Sequence, residues 1–115
     1  MTALYRVDLT ASTNADLRQS FALADTAGVA IDLTGATLAF AAEYEPGAPV
    51  LAASTANGRI IITDAPQGRF DLAVPTAVLA PIAPGLYAHD LLLTRAGRVD
   101  RLWSGTLRIE HGVAP

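Results

Sequence analysis

An all-β fold, an antiparallel sandwich of seven or eight short strands in a single domain, follows from three features of the sequence. Turn pairs recur along the whole chain: Ala27-Gly28, Thr34-Gly35, Pro46-Gly47, Asn57-Gly58, Gln67-Gly68, Pro84-Gly85 and Ala96-Gly97. Most of them stand about ten residues apart, the spacing of short strands in a sandwich or barrel. Between them apolar and polar residues alternate, as in Arg69-Phe70-Asp71-Leu72-Ala73-Val74, where Phe70, Leu72 and Val74 share one side. Finally, 115 residues are enough for one buried core and too few for two ordinary domains.

The first strand is expected over residues 3–9, where Tyr5, Val7 and Leu9 alternate with Arg6 and Asp8. Strands follow at 17–25, 36–44, 49–54, 59–63, 69–74, 86–94 and 99–110. The stretch from Ala36 to Ala42 is rich in alanine, yet Leu38, Phe40 and Tyr44 keep even spacing after a glycine turn, which favours strand over helix. Residues 76–80 suit one helical turn, stopped by Pro81. In the last strand Trp103, Leu107 and Ile109 oppose Ser104, Thr106, Arg108 and Glu110. Leu102 is out of phase, so a bulge or change of sheet is expected near Arg101. The expected core includes Phe40, Phe70, Leu72, Tyr87, Leu91, Trp103 and Leu107. Nearly all the aromatic residues, Phe21, Tyr5 and Tyr44 included, fall on apolar strand faces and read as core.

Composition narrows the function. The chain has no Cys, so disulfides, thiol catalysis and Cys-bound zinc are ruled out together. All 8 basic residues are Arg, against 11 acids, for a net charge of −3, which argues against a nucleic-acid footprint. The start of the chain lacks a signal-peptide pattern, and no apolar run reaches the roughly 18–20 residues of a membrane helix, so a soluble protein without a membrane partner is expected. Residues 1–57 carry a net −4 and residues 58–115 a net +1, which reads as ordinary solvated faces.

Candidate chemistry is sparse. His89-Asp90 is the one adjacent pair resembling a metal or acid–base site. Strand alternation sends the two to opposite faces, and His111 is the sole other histidine, too few for a zinc set. Asp64, Asp71, Asp90 and Asp100 have no spacing that forces two of them into a cleft. Ser12, Ser20, Ser54 and Ser104 lack a Gly-x-Ser-x-Gly context, and Thr34-Gly35-Ala36 is a turn rather than a phosphate loop. No enzyme activity, metal or cofactor is expected.

Gly85-Leu86-Tyr87-Ala88-His89-Asp90 carries more information. A glycine turn followed by Tyr two residues into a strand resembles the tyrosine corner of immunoglobulin-like sandwiches, whose hydroxyl bonds back to the backbone. The expected acceptor lies between Leu79 and Ala83. His89 stands where an antibody domain has cysteine, so the likeness is to the broad architecture.

The order of motifs resembles the N-terminal immunoglobulin-like domain of siphophage upper baseplate proteins, a family of phage tail and baseplate domains. The resemblance runs from Ile31-Asp32-Leu33-Thr34-Gly35-Ala36-Thr37-Leu38-Ala39-Phe40 through Gly58-Arg59-Ile60-Ile61-Ile62 and Gly68-Arg69-Phe70-Asp71-Leu72. It ends in Gly85-Leu86-Tyr87-Ala88-His89-Asp90-Leu91 and the terminal strand with Gly105, spanning residues 5–110. Larger relatives continue into fibre-like or receptor-binding regions. The resemblance implies a non-enzymatic virion component of the tail, baseplate or fibre attachment that docks to other virion proteins, and it carries over no catalytic residue. A carbohydrate-binding sandwich module is the alternative, and clustered exposed aromatics would favour it.

Association in several copies is the remaining expectation. The terminal strands 3–9 and 99–110 hold neither Lys nor Pro, the common protectors of sheet edges, so a homo-oligomer or repeated copies are expected. Arg95, Arg98 and Arg101 are the candidate contacts, facing acidic surface from the N-terminal half of a neighbour.

Overall fold

The computed structural model describes residues 5–114. Nine strands and one helical turn follow in the order β1 (Tyr5–Arg6), β2 (Leu9–Ser12), β3 (Leu17–Ala22), β4 (Thr37–Glu43), β5 (Pro49–Ser54), β6 (Ile60–Asp64), β7 (Arg69–Val74), α1 (Thr76–Leu79), β8 (Gly85–Arg95) and β9 (Arg98–Glu110). They form two sheets. The larger runs β1-β9-β8-β4-β5, with β2 continuing beside β9, and the smaller runs β3-β7-β6. The chain is therefore a nearly all-β two-sheet sandwich, as the turn spacing and alternation imply.

The core lies between the sheets and is set by alternation. Leu38, Phe40 and Ala42 of β4, Tyr87, Leu91 and Leu93 of β8, and Trp103, Leu107 and Ile109 of β9 are buried from one side; Phe70, Leu72 and Val74 of β7 meet them from the other. Each large side chain so buried contributes about 1.5–3 kcal/mol. All seven residues expected in the core are buried. An aromatic cluster ties the sheets together: Phe21 of β3 stacks on Phe70 at 5.2 Å and tilts against Trp103 at 4.7 Å. Tyr44 is the exception among the described aromatics. At 74% exposure it sits just past the end of β4, where the strand pattern no longer directs it inward.

Three expectations need correction, and with the first strand divided the described strands number nine rather than seven or eight. The segment at 3–9 is not one strand: the described part breaks at Val7–Asp8 into β1 and β2, and residues 3 and 4 lie outside the described residues. Both pieces pair in parallel with β9, Tyr5 opposite Trp103 and Leu9 opposite Leu107, so the larger sheet is mixed rather than antiparallel. This pairing also places β9 between β1/β2 and β8, so 99–110 is an interior strand and not an edge. Alternation reports which face a side chain takes; it does not report which strand lies alongside.

The break has a physical cause at Gly105. A Cβ there would stand 1.8 Å from the Val7 carbonyl oxygen, so the crossing chain occupies the space of the missing side chain. Val7 N donates to Ser104 O at 3.0 Å. Asp8 Oδ1 then accepts from Thr106 N at 3.1 Å and Thr106 Oγ1 at 3.0 Å, which holds the Asp8 carboxyl below the usual carboxylate range. The bulge expected near Arg101 is present: the β8–β9 register shifts between Leu91 and Leu92, and Leu102 and Trp103 are both buried in succession.

Candidate functional site

The outer face of the larger sheet carries an open hollow. Because Tyr87, His89, Leu91 and Leu93 point inward along β8, Ala88, Asp90 and Leu92 point outward; on β4 the same rule turns out Ala39, Ala41 and Glu43. Register then sets the neighbours. Arg6, Ser104, Asp90 and Ala41 lie side by side across four strands. One row to one side are Arg101, Leu92 and Ala39; one row to the other are Thr106, Ala88 and Glu43. The β9 bulge keeps Arg101 on this outer face despite its odd-numbered position.

The resulting hollow has a volume of about 360 Å³ and a floor of small residues, Ala41, Ala88, Ser104 and Gly105. Arg6, Arg101, Glu43 and Asp90 line it with charge. Arg6 is paired to Asp8 at 3.2 Å. Glu43 accepts a hydrogen bond from Gly47 N at 3.1 Å, which fastens the β4–β5 turn.

His89 borders this hollow from inside the core. It is 5% exposed, and its Nε2 lies 3.1 Å from Thr106 O. A carbonyl only accepts, so in this contact Nε2 carries the proton. Burial pushes the imidazole below its ordinary range. With its one N–H committed to a backbone carbonyl, the ring is not placed to activate Ser104.

His89 and Asp90 take opposite faces, as alternation requires, and His111 is exposed beyond the end of β9. Among the described residues no three of His, Asp and Glu converge on a point that could hold a metal. The four aspartates are dispersed: Asp71 accepts from Ser20 Oγ at 2.7 Å on the smaller sheet, Asp64 of β6 stands opposite Arg69 of β7, Asp90 lies on the larger sheet and Asp100 pairs with Arg98 at 3.2 Å. Ser12 donates to Asn14 and Ser54 accepts from Asn57 N, both local turn bonds.

The three arginines at the β8–β9 hairpin separate in role. Arg95 and Arg98 face each other across the turn, but Arg95 donates to the Asp32 carbonyl of its own chain and Arg98 is engaged by Asp100. Arg101 has no ion-pair partner among the described residues and borders two hollows, the outer face and a smaller apolar one lined by Ile31, Leu93 and Leu102. Sequence reasoning did not single out Arg6 and Glu43. Each is an ordinary charged residue in its own strand, and only cross-strand register brings them to one surface.

Tyr87 closes the account of the singled-out residues. Its hydroxyl donates to the Ala83 carbonyl, at the downstream limit of the stretch expected, and fastens the loop between α1 and β8 to the core. No protein-family model matches the chain, and no curated protein does.

Proposed function

We propose that the protein is a non-enzymatic structural component of a phage virion, in the tail, baseplate or fibre-attachment region, that works by docking to other virion proteins. The observation that carries this reading is the character of the larger sheet's outer face. It is an open sheet face floored by alanine, serine and glycine with charges of both signs, suited to contact with another protein face rather than to enclosing a small substrate. Alanine loses no rotamer freedom on contact, so such a face is inexpensive to order.

The immunoglobulin-like reading of the fold is supported by strand order. With β1/β2 taken as strand A, β3-β7-β6 correspond to B-E-D and β9-β8-β4 to G-F-C, with β5 as C′. The tyrosine of strand F bonds back to the preceding turn, as in the corner of that architecture. The sugar-binding alternative draws no such support, since among the described side chains Tyr44 is the one exposed aromatic.

Gold-labelled antibody against the chain, applied to particles purified from a producing culture, tests the proposal. Label at the tail or its tip is the expected result. Particles without label, with the chain recovered only from the unassembled fraction, would reject it.

A further inference from the structure

The chain crosses from the larger sheet to the smaller one through Ser54-Thr55-Ala56-Asn57-Gly58-Arg59, between β5 and β6. One side chain holds this crossing together. Asn57 Oδ1 accepts from Ser54 N at 2.9 Å and from Arg59 N at 3.0 Å, while Nδ2 donates to Ala52 O at 3.2 Å. Asn57 N in turn donates to Ser54 Oγ at 3.1 Å. Arg59 Nη1 reaches the same Ala52 carbonyl at 2.8 Å, and Arg59 O accepts from Ala73 N at 2.8 Å. The turn is thus fastened to β5 at one end and to β7 at the other.

Asparagine is thermolabile, and a following glycine leaves the next amide without a side chain to shield it. Gly58 is exposed, with no atom within 4 Å of the place a Cβ would take. In the reaction Gly58 N attacks Asn57 Cγ and gives up its proton. The N–Cγ bond forms, the Cγ–Nδ2 bond breaks, and ammonia leaves with that proton. Water then opens the cyclic imide at one of its two carbonyls. Opening at Cγ gives aspartate in the normal chain; opening at the main-chain carbonyl gives isoaspartate, whose backbone runs through Cβ and Cγ. The attack requires the side-chain amide to swing its face toward Gly58 N. In the folded turn Oδ1 is held by two N–H groups and Nδ2 by a carbonyl, so that swing breaks three hydrogen bonds.

We propose that Asn57-Gly58 is a latent covalent modification site: the closed turn withholds it from deamidation, the opened turn reacts, and the product no longer closes the turn as before. The rate in the folded chain is the rate of the unfolded chain multiplied by the fraction of time the turn stands open. After reaction an oxygen replaces Nδ2, and a carboxylate has no hydrogen to donate to Ala52 O. Isoaspartate goes further, since its lengthened backbone displaces Arg59 from the positions that Asn57 Oδ1 and Ala73 N now fix. The change is one-way, and it loosens the passage between the two sheets. Asn14, the other asparagine of the chain, precedes Ala15, whose methyl group hinders attack, and so provides an internal reference. The inference is independent of the assembly reading.

The test is incubation of the intact chain at mildly alkaline pH, folded in buffer and unfolded in urea, followed by tryptic digestion. Peptides ending at Arg18 and Arg59 carry Asn14 and Asn57 separately, and each is followed by mass and by isoaspartate content. Asn57 is expected to react faster than Asn14 in urea, and at least about tenfold more slowly in the folded chain than in urea, a factor equal to about 1.4 kcal/mol of turn opening. Ser54→Ala removes the hydroxyl that accepts from Asn57 N and is expected to raise the folded-state rate about fivefold, the weight of one net hydrogen bond, with the rate in urea unchanged. Asn57→Asp, which stands for the normal-chain product, is expected to have a lower denaturation midpoint than wild type. Circular dichroism checks the fold of each variant, and the comparison of folded with unfolded wild type needs no variant. Equal rates in buffer and urea, an Asn57 no faster than Asn14 in urea, a folded Ser54→Ala no faster than wild type, or an Asn57→Asp midpoint equal to wild type would each overturn the proposal.

Discussion

Replacing Gly105 by alanine should unseat the N-terminal strands from the rest of the sandwich. The added Cβ would meet Val7 O at 1.8 Å and Val7 C at 2.7 Å. Carbon and carbonyl oxygen ordinarily approach no closer than about 3.3 Å, so the crossing chain has to retreat by about 1.5 Å. That movement breaks the Val7 N–Ser104 O bond of 3.0 Å, worth about 1 kcal/mol net. Overpacking of a fixed backbone adds about 1–3 kcal/mol. The gain from replacing glycine in a strand is about 0.5–1 kcal/mol in the other direction. The Asp8 bonds to Thr106 are open to solvent, and water replaces them. The net expectation is a loss of about 2–3 kcal/mol, which moves a urea midpoint down by about 1–2 M. Gly85→Ala is the control, since a Cβ there would meet only Tyr87 Cε2 at an ordinary 3.8 Å. Equilibrium urea unfolding of both variants decides the matter. A Gly105→Ala midpoint indistinguishable from wild type would show that the crossing is not seated in the space of the missing side chain.

Three further outcomes are expected. Tyr87→Phe removes the hydroxyl that reaches Ala83 O and should cost about 1 kcal/mol, read as a lower denaturation midpoint; a midpoint equal to wild type would leave the bond without energetic weight. His89 is held below its ordinary range by burial, so below about pH 6.5 the unfolded chain binds a proton that the folded chain resists. Stability should therefore fall from pH 7.5 to about pH 5.5 and His89→Leu should flatten that slope, whereas Asp8, Asp16 and Asp32, lowered by their hydrogen bonds to Thr106, Thr76 and Thr34, lose their contribution only below about pH 4. Ala96 holds a positive φ of 52° beside Gly97 in the β8–β9 turn, so Ala96→Gly should stabilise by about 1 kcal/mol, and a destabilised variant would argue against the left-handed geometry.

The parts of the fold legible in the sequence are those that depend on near neighbours in the chain. Phe70, Leu72 and Val74 alternate because one face of β7 is buried, and Ala96-Gly97 turns because both positions adopt positive φ. The out-of-phase Leu102 marked its bulge for the same local reason. What escaped depends on partners distant in sequence. Nothing around Val7 signals that its carbonyl will fill the place of a side chain at Gly105, nor that β1 and β2 will run parallel to β9. The candidate surface shows the same division. Arg101 stood out as a charge near a turn, but Arg6, Asp90 and Glu43 become one surface only once the register of four strands is known.

The parallel seam between β1/β2 and β9 also determines how the domain bears a pull. Parallel strands carry their ends at opposite extremes of the seam, so tension entering near Tyr5 and leaving near Glu110 runs along the strands rather than across them. The ladder bonds from Tyr5–Trp103 to Ser12–Glu110 are then loaded together in shear, and no single bond can give way first as it would at the open end of an antiparallel hairpin. Extension along this axis must rupture the seam as a unit before the sheets can part.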